Sequence, residues 1–207
     1  MRELANLKRY VLTGAPGSGK TVIIRQLEVD GFSVVEEAAT ALIALKQAQG
    51  LDEPWSRHSF IDEVTDLQRI RLLQSSYGPG EVQFHDRSIF CTAALFDYLG
   101  RPRSRVLSRE LERVVTKQFY QPEVFFIRSL GFIAPTAARR IRFEEAIRFE
   151  RVHEEVYRTL AFNLSLSNPL ASLSGLRSSA TEIASKILNK QAARCLGGFS
   201  FLHDATG

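Results

Sequence analysis

Two hydrophobic patterns alternate along the chain. Short runs of adjacent apolar residues predict buried strands, and longer stretches with an apolar residue every three or four positions predict helices. The predicted strands cover residues 9–13, 32–35, 81–85, 124–127 and 163–167, and the predicted helices cover residues 20–30, 36–49, 61–77, 88–99, 105–119, 143–160 and 180–190. This alternation predicts an α/β fold in which a mostly parallel five-stranded sheet carries helices on both faces.

The length and the composition fit one domain of this kind. A chain of 207 residues, 44% of them apolar, is long enough for one sizeable core and short for two. We expect a single domain over residues 1–190, followed by a C-terminal tail over residues 191–207 in which little pattern is visible.

Composition excludes some classes of protein and leaves others open. No stretch approaches 18 consecutive apolar residues, and the first ten residues lack an apolar signal segment, so we expect neither a membrane span nor secretion. Cys91 and Cys195 provide no zinc pattern and no disulfide framework, which favours a reducing compartment and hence the cytoplasm. The net charge of +4 suits an anionic small molecule as well as nucleic acid, so it decides nothing alone.

The segment GAPGSGKT, residues 14–21, follows the first predicted strand and opens the first predicted helix. Ligands of parallel α/β sheets bind beyond the carboxyl ends of the strands, and this segment matches the phosphate-binding pattern G-x-x-x-x-G-K-[ST]. Its glycines allow backbone N–H groups to surround phosphate oxygens, and the positive end of the helix favours the same anion. The alternative is a glycine-rich turn without a ligand.

The roles within this loop follow from its residue types. We expect Lys20 to neutralise the β- and γ-phosphates of a nucleoside triphosphate and the hydroxyl of Thr21 to bind Mg²⁺. The predicted nucleotide-binding residues are Gly14, Ala15, Pro16, Gly17, Ser18, Gly19, Lys20, Thr21 and Val22.

Charged residues also follow the second and third predicted strands. Asp86 is expected to hold Mg²⁺, directly or through water, and Arg87 to grip an anionic substrate. The alternatives are that Asp86 or Ser88 caps the next helix and that Arg87 forms a surface salt bridge. Of the adjacent Glu36 and Glu37, Glu37 is a candidate to orient or deprotonate an acceptor hydroxyl, or to bind a substrate amine. The alternative for it is a favourable position at a helix N-terminus.

The segment after the fourth predicted strand carries four arginines, Arg128, Arg139, Arg140 and Arg142. The last three precede or begin a helix, where the helix dipole disfavours cations. Such a loop suits a lid that closes over the charge of a transferring phosphoryl group, which makes Arg139, Arg140 and Arg142 candidate catalytic residues. A basic, solvated surface is the alternative.

Several other features have a simpler interpretation. Asp97 and Gly100 match the D-x-x-G motif of GTPases but lie at a helix end, so Gly100 is expected to be a helix cap, and no N-K-x-D motif supports guanine specificity. The five arginines and two glutamates of residues 101–113 are expected to form a solvated helical face. Trp55 and His58 are expected to pack locally.

The segments KRYVLTGAPGSGKT, VVEEAA and FHDRS, followed by an arginine-rich loop and a long helix, resemble the AAA_28-type family of P-loop ATPase/kinase domains. The chain is also similar to NadR-type nicotinamide riboside kinase domains and, more distantly, to nucleoside and nucleotide kinases. The resemblance covers residues 7–190 and implies a three-layer P-loop NTPase fold. It implies that Glu37 acts on an acceptor hydroxyl, that Asp86 and Arg87 serve the substrate site, and that the lid arginines are Arg139, Arg140 and Arg142.

These features together lead to the expectation of a kinase that uses ATP and Mg²⁺ to phosphorylate a small nucleoside- or nucleotide-like acceptor. A nucleotide-dependent regulatory switch with slow hydrolysis is the alternative, since a switch needs no acceptor pocket between Glu37 and Arg87. A nucleic-acid-associated ATPase is a third and weaker interpretation, which rests only on the basic composition and on the arginines of residues 101–113.

Overall fold

The computed structural model describes residues 7–75, 82–129, 143–160 and 162–167, together with the single position 185. Five strands and six helices alternate along this part of the chain. The strands are β1 (Lys8–Gly14), β2 (Ser33–Val35), β3 (Val82–Asp86), β4 (Glu123–Ile127) and β5 (Asn163–Ser167). The helices are α1 (Lys20–Val29), α2 (Ala38–Ala48), α3 (Phe60–Gln74), α4 (Ile89–Tyr98), α5 (Arg105–Thr116) and α6 (Phe143–Thr159).

The five strands form one sheet in the order β2-β3-β1-β4-β5, and every neighbouring pair is parallel. The sheet was predicted to be mostly parallel, and over the described strands it is entirely so. Strand β1 lies in the centre, with β3 on one side and β4 on the other. Because the strands are parallel, their carboxyl ends share one edge, so the residues that follow β1, β2 and β3 meet there.

Apolar residues cover both faces of the sheet, which confirms the predicted layered α/β fold. On one face, Tyr10 and Leu12 of β1 pack with α1, while on the other face Val11 packs with helices α2 to α6. Successive side chains of a strand point to opposite faces, so an uninterrupted apolar run such as Tyr10-Val11-Leu12 supplies both cores. No helix in the part of the chain that is described is long and apolar enough to cross a membrane.

Gly14 allows a close approach between the end of β1 and the end of β4. Its φ is +133°, and a Cβ atom at this position would lie 2.0 Å from the carbonyl oxygen of Ile127. No other residue type therefore fits here, because both the backbone conformation and the neighbouring strand exclude a side chain. The first glycine of the GAPGSGKT segment is thus required for the packing of β1 against β4 as well as for the start of the loop.

The predicted element boundaries differ from the observed ones by a few residues. Glycines 31 and 50 follow α1 and α2 at φ values of +88° and +85°, as expected of helix-terminating residues. The segment between α2 and α3 contains a 3-10 helix, Pro54–Ser56. Three predicted features lie outside the described residues: the lid arginines, the tail over 191–207 and, except for position 185, the helix over 180–190. The domain boundary at residue 190 therefore stays a prediction.

Candidate functional site

The loop between β1 and α1 is shaped by its glycines. Gly17 and Gly19 both have positive φ, at +81° and +85°, and Gly19 is the N-cap of α1. No side chain caps α1 with a hydrogen bond. A helix leaves its first N–H groups without partners inside the helix, so an N-terminus without a side-chain cap suits an anion. Thr21 lies exposed in the first turn of α1.

Lys20 folds back onto this loop. Its Nζ donates hydrogen bonds to the carbonyl oxygens of Gly14 at 3.1 Å and Ala15 at 2.6 Å, and to the hydroxyl of Ser18 at 3.1 Å. The residue is only 6% exposed. Burial, and secondarily the charge of Arg87, lowers the pKa of Lys20 to about 7, although nearby carboxylates oppose the shift. The ammonium group is therefore poorly compensated in the ligand-free protein, and a phosphate anion would stabilise its charged form.

Asp86 and Ser88, the candidates for metal binding and for helix capping, have different environments. Ser88 is the N-cap of α4, where its hydroxyl accepts a hydrogen bond from the N–H of Phe90 at 3.3 Å. Asp86 is the last residue of β3, and its Oδ1 is sealed from solvent with no hydrogen-bond partner among the described residues. Burial, reinforced by the charge of Glu37, raises the pKa of Asp86 to about 6. An orphaned carboxylate oxygen of this kind fits a divalent cation that prefers oxygen ligands.

Glu37 and Arg87 come from the ends of two adjacent strands and form an ion pair. Arg87 Nε lies 2.7 Å from Glu37 Oε1, although its N–H is not aligned for a hydrogen bond. Thr40 donates its hydroxyl to Glu37 Oε2 at 2.8 Å. Burial lowers the pKa of Arg87, but Glu37, Cys91 and Asp86 together outweigh it, so the pKa lies above its usual value. The sequence predicted both residues at this edge, but not their pairing.

The backbone of Arg87 is unusual, because its φ is +69° in a residue other than glycine. Its N–H donates to the carbonyl oxygen of Leu12 at 2.9 Å, so the turn after β3 is tied to the centre of the sheet. A left-handed conformation costs roughly 1 kcal/mol or more outside glycine and tends to cluster at functional sites. The turn therefore holds the guanidinium at the edge of the sheet at an energetic cost.

The two adjacent glutamates after β2 have different environments. Glu36 is exposed and forms an ion pair with Arg25 at 2.5 Å, while Arg71 donates to its backbone carbonyl at 2.7 Å. Glu37 is the N-cap of α2, but its side chain makes no capping hydrogen bond. Glu37 therefore has the position at a helix N-terminus that the alternative expected, and its side chain also contacts Thr40 and Arg87.

Arg128 is held on α6. Its guanidinium contacts Glu150 at 3.1 Å and Glu154 at 2.6 Å, and the N–H of Ser129 donates to Glu150 at 2.9 Å. These contacts attach the end of β4 to α6. Arg139, Arg140 and Arg142 lie outside the described residues, so their roles as lid residues stay predictions.

His153 was not singled out from the sequence and contacts the candidate site. It lies on α6 and is fully buried, and its Nε2 is 3.3 Å from Nη1 of Arg87. It falls four residues after Phe149 and three before Val156, two buried members of an apolar stripe along the same helix. A polar residue within an apolar stripe is the one feature of the sequence that could have pointed to it.

Features that were set aside from the sequence mostly behave as expected. Gly100 follows α4 at φ +61°, and Asp97 forms an ion pair with Arg103 at 2.6 Å, so D-x-x-G here is a helix end. Arg113 pairs with Glu110 at 2.6 Å. Within the described ranges, no group of three or more His, Cys, Asp or Glu residues could hold a metal ion.

Comparison with known families agrees with this geometry. A family model described as an AAA domain matches residues 9–169, which include the phosphate-binding loop, Glu37, Asp86, Arg87 and α6. The chain belongs to the AAA_28 family. No curated protein matches it significantly. As a member of this AAA domain family, the chain is a P-loop nucleotide-binding protein of the NTPase type, and its all-parallel sheet is the fold expected of one.

Proposed function

We propose that this AAA domain protein is a kinase that uses ATP and Mg²⁺ to phosphorylate a hydroxyl of a small nucleoside- or nucleotide-like acceptor. The observation that carries the proposal is the ion pair between Glu37 and Arg87. It joins a carboxylate to a guanidinium at the edge of the sheet, next to the residues proposed to bind phosphate. A protein that only binds or slowly hydrolyses nucleotide has no need of this pair.

The proposed roles divide between donor and acceptor. The loop amides and Lys20 bind the β- and γ-phosphates, because Lys20 already lies against the loop with an ammonium group that burial has left undercompensated. Arg87 binds the acceptor, since a guanidinium can form two parallel hydrogen bonds to an anionic group. Glu37 binds the acceptor hydroxyl and receives its proton.

Thr21 and Asp86 are the proposed Mg²⁺ ligands. Thr21 lies exposed at the start of α1, and Asp86 offers a buried oxygen to which no described residue donates a hydrogen bond. When bound, the metal would neutralise charge on the β- and γ-phosphates. No second acidic ligand is needed, because Mg²⁺ in such sites keeps several water ligands and binds substrate phosphates.

The proposed reaction balances without any further reactant. The acceptor oxygen forms a bond to the γ-phosphorus while the bond to the β–γ bridging oxygen breaks, and ADP leaves. The hydroxyl proton moves to the Glu37 carboxylate and from there to solvent. Lys20 stabilises the charge on the transferring group, and Arg139, Arg140 and Arg142 are proposed to add to this stabilisation.

The charges at the site indicate that binding of a triphosphate needs an additional source of positive charge. Lys20 and Arg87 balance Asp86 and Glu37 in the ligand-free protein, so these four residues supply no net charge for a triphosphate. A triphosphate brings about four negative charges, of which Mg²⁺ offsets two. This imbalance supports the proposal that the arginines between β4 and α6 take part.

The experiment that tests the function is ATP consumption with Mg²⁺ across a panel of acceptors. The panel contains nucleosides, nucleoside monophosphates and nicotinamide riboside, the last because the chain resembles NadR-type kinase domains, and a reaction without acceptor is the blank. We expect one class to raise consumption well above the blank and to yield a product heavier by one phosphoryl group in mass spectrometry. Slow consumption that no acceptor changes would contradict the kinase and favour a regulatory switch.

Glu37→Gln provides a second test. The amide keeps the size of the side chain and can still accept a hydrogen bond from Thr40, but it cannot take a proton. We expect kcat to fall by about 10²- to 10⁴-fold, as for loss of a general base, while the Kd for ATP changes less than about twofold. The measurement is steady-state kinetics together with nucleotide binding by calorimetry.

Glu36→Gln is the matched control for this variant. It makes the same chemical change one residue away, in an exposed carboxylate paired with Arg25. Its turnover should remain within about twofold of wild type, since exposed ion pairs contribute little. Equal loss of turnover in both variants, or no loss in Glu37→Gln, would refute the role of Glu37.

A further inference from the structure

We infer that His153 is a positioning residue that fixes the guanidinium of Arg87 for acceptor binding through a single defined tautomer. The inference rests on the proposed function for its consequence in catalysis, but the contact itself is independent of any substrate. His153 lies on α6, 66 positions from Arg87 in the sequence, and no motif assigns it a role.

Two hydrogen bonds determine the tautomer of His153. Nδ1 lies 3.0 Å from the backbone carbonyl oxygen of Phe149, and Nε2 lies 3.3 Å from Nη1 of Arg87. A carbonyl oxygen can only accept, so Nδ1 must carry the proton. A guanidinium can only donate, so Nε2 must present its lone pair. The neutral ring with its proton on Nδ1 satisfies both contacts, and the imidazolium ion satisfies only one.

The surroundings keep the ring in this neutral state. His153 is fully buried and its ring lies edge-on to that of Phe149, with centroids 4.1 Å apart. Burial, together with the charge of Arg87, lowers the pKa of His153 to about 3. The Nε2 lone pair is therefore present throughout the neutral pH range.

Arg87 is consequently held from two sides. Glu37 lies against Nε and His153 accepts from Nη1, and the side chain is 11% exposed. The guanidinium is planar, so two contacts at different nitrogen atoms fix the direction of its remaining N–H groups. When a ligand displaces Glu37 from Arg87, the hydrogen bond to His153 would still hold the guanidinium in its orientation.

Helix α6 provides a rigid support for this contact. One turn of α6 carries Glu150, His153 and Glu154, and the two glutamates hold Arg128 at the end of β4. The same turn therefore contacts the guanidinium groups that follow two different strands. This second attachment limits how far His153 can move relative to the sheet, which is what positioning requires.

The contact is tested first in the ligand-free protein by ¹⁵N NMR of histidine-labelled samples. We expect the His153 ring to show a protonated Nδ1 and an unprotonated Nε2 from pH 6 to 8, and the Nε2 resonance to shift in Arg87→Lys. A protonated Nε2, or a resonance that does not respond to Arg87→Lys, would overturn the inference. Neither result depends on whether the protein is a kinase.

The consequence is tested with His153→Phe, using the acceptor of highest kcat/KM from the panel. Phenylalanine keeps an aromatic ring beside Phe149 but accepts no hydrogen bond. We expect the acceptor KM to rise about tenfold, as for a lost bond to a charged group, with kcat and the KM for ATP within about twofold. In the Arg87→Lys background the same change should move the acceptor KM less than about twofold, because His153 acts through Arg87.

His85→Phe is the matched control. His85 is also buried, its pKa is likewise lowered to about 3 by burial, and its Nε2 contacts Gln83 at 2.8 Å instead of Arg87. It should leave the acceptor KM within about twofold. A comparable rise in both variants, or additive effects of His153→Phe and Arg87→Lys, would show a purely structural role and overturn the inference.

Two further outcomes remain informative. If His153→Phe does not fold, His153→Gln takes its place, because its amide oxygen can accept from Arg87 and should keep the acceptor KM within about threefold. A larger loss in folded His153→Gln would contradict the inference. If no acceptor in the panel is phosphorylated, the proposed function fails, while the NMR result still decides whether His153 and Arg87 are coupled.

Discussion

Lys20→Met is expected to eliminate the thermal stabilisation that ATP and Mg²⁺ give the wild-type protein. A ligand at about 100 times its Kd stabilises a protein by about 2.7 kcal/mol, which for a chain of this size raises Tm by roughly 5 to 10 °C. Lys20 is the charged member of the loop and folds against Gly14, Ala15 and Ser18. Without it we expect a shift of less than about 1 °C, measured by differential scanning fluorimetry.

The fold itself should tolerate Lys20→Met. Methionine retains the apolar stem of a side chain that is 6% exposed, and it removes a cation whose pKa is lowered by burial. A lowered pKa means that the charged form is disfavoured in the folded state, and this cost is complete at pH values below the folded pKa and fades as the pH rises above it. Removing the buried charge should stabilise the fold, and losing the three hydrogen bonds should destabilise it. The Tm without nucleotide should therefore change little.

Lys46→Met is the control for this prediction. Lys46 lies in the last turn of α2 and forms an ion pair with Glu63 of α3 at 2.6 Å. Lys46→Met makes the same change of residue type and should keep the full rise in Tm with ATP and Mg²⁺. A Lys20→Met protein that is still stabilised by ATP and Mg²⁺ would show that the loop does not bind the triphosphate through this lysine.

The sequence was most informative where one local pattern is sufficient. The alternation of strands and helices predicted all five strands and six of the helices within a few residues, because periodicity and helix-terminating glycines act over short distances. The phosphate-binding loop was predictable for the same reason, since its glycines and Lys20 lie within one turn and one helix start.

Strand order was less accessible from the sequence. Strand β3 lies between β1 and β2, so neighbours in the sequence are not neighbours in the sheet. Which strand occupies the centre depends on how every helix packs, and an alternating pattern does not encode that choice. The candidates at the strand ends could be named from the sequence, but their distances from one another could not.

The pairing of Glu37 with Arg87 and the contact of His153 with Arg87 illustrate this limit. The first pair is separated by 50 residues and the second by 66, so both depend on the completed sheet and on α6. His153 also falls on an apolar stripe, where a buried histidine is indistinguishable from a core residue until its partner is known. The sequence therefore named most of the acids and bases of the site without their connections.

Asp86→Asn is expected to stabilise the ligand-free protein while removing its response to Mg²⁺. Asparagine has almost the same shape and carries no charge. Burial, followed by the charge of Glu37, raises the pKa of Asp86 to about 6, so the ionised carboxylate destabilises the fold at neutral pH. The cost is on the order of 3 kcal/mol for a shift of this size. It is partly offset in the variant, because Lys20 loses a counter-charge. We therefore expect a gain in Tm of a few degrees at pH 8.

The pKa shift of Asp86 determines the pH range in which Asp86→Asn is more stable than wild type. A group whose pKa is raised by folding favours the folded state most at pH values below its unfolded pKa. This favourable contribution disappears as the pH rises through the folded value, near 6. The advantage of Asp86→Asn over wild type should therefore be largest above pH 6 and should vanish near pH 4, in thermal unfolding curves recorded without nucleotide.

The second half of the prediction concerns the metal. In wild type, ATP with Mg²⁺ should raise Tm more than ATP with EDTA, and in Asp86→Asn the two shifts should be equal, since the neutral amide is a poor ligand for Mg²⁺ compared with the buried carboxylate. Asp97→Asn, which changes a carboxylate paired with Arg103 at the end of α4, should keep the wild-type difference. An Asp86→Asn protein that is less stable at pH 8 would indicate a structural carboxylate, and one that still responds to Mg²⁺ would move the metal to other ligands. The combination we expect, greater stability with loss of the Mg²⁺ response, is the one that a site maintained for binding at the expense of stability should give.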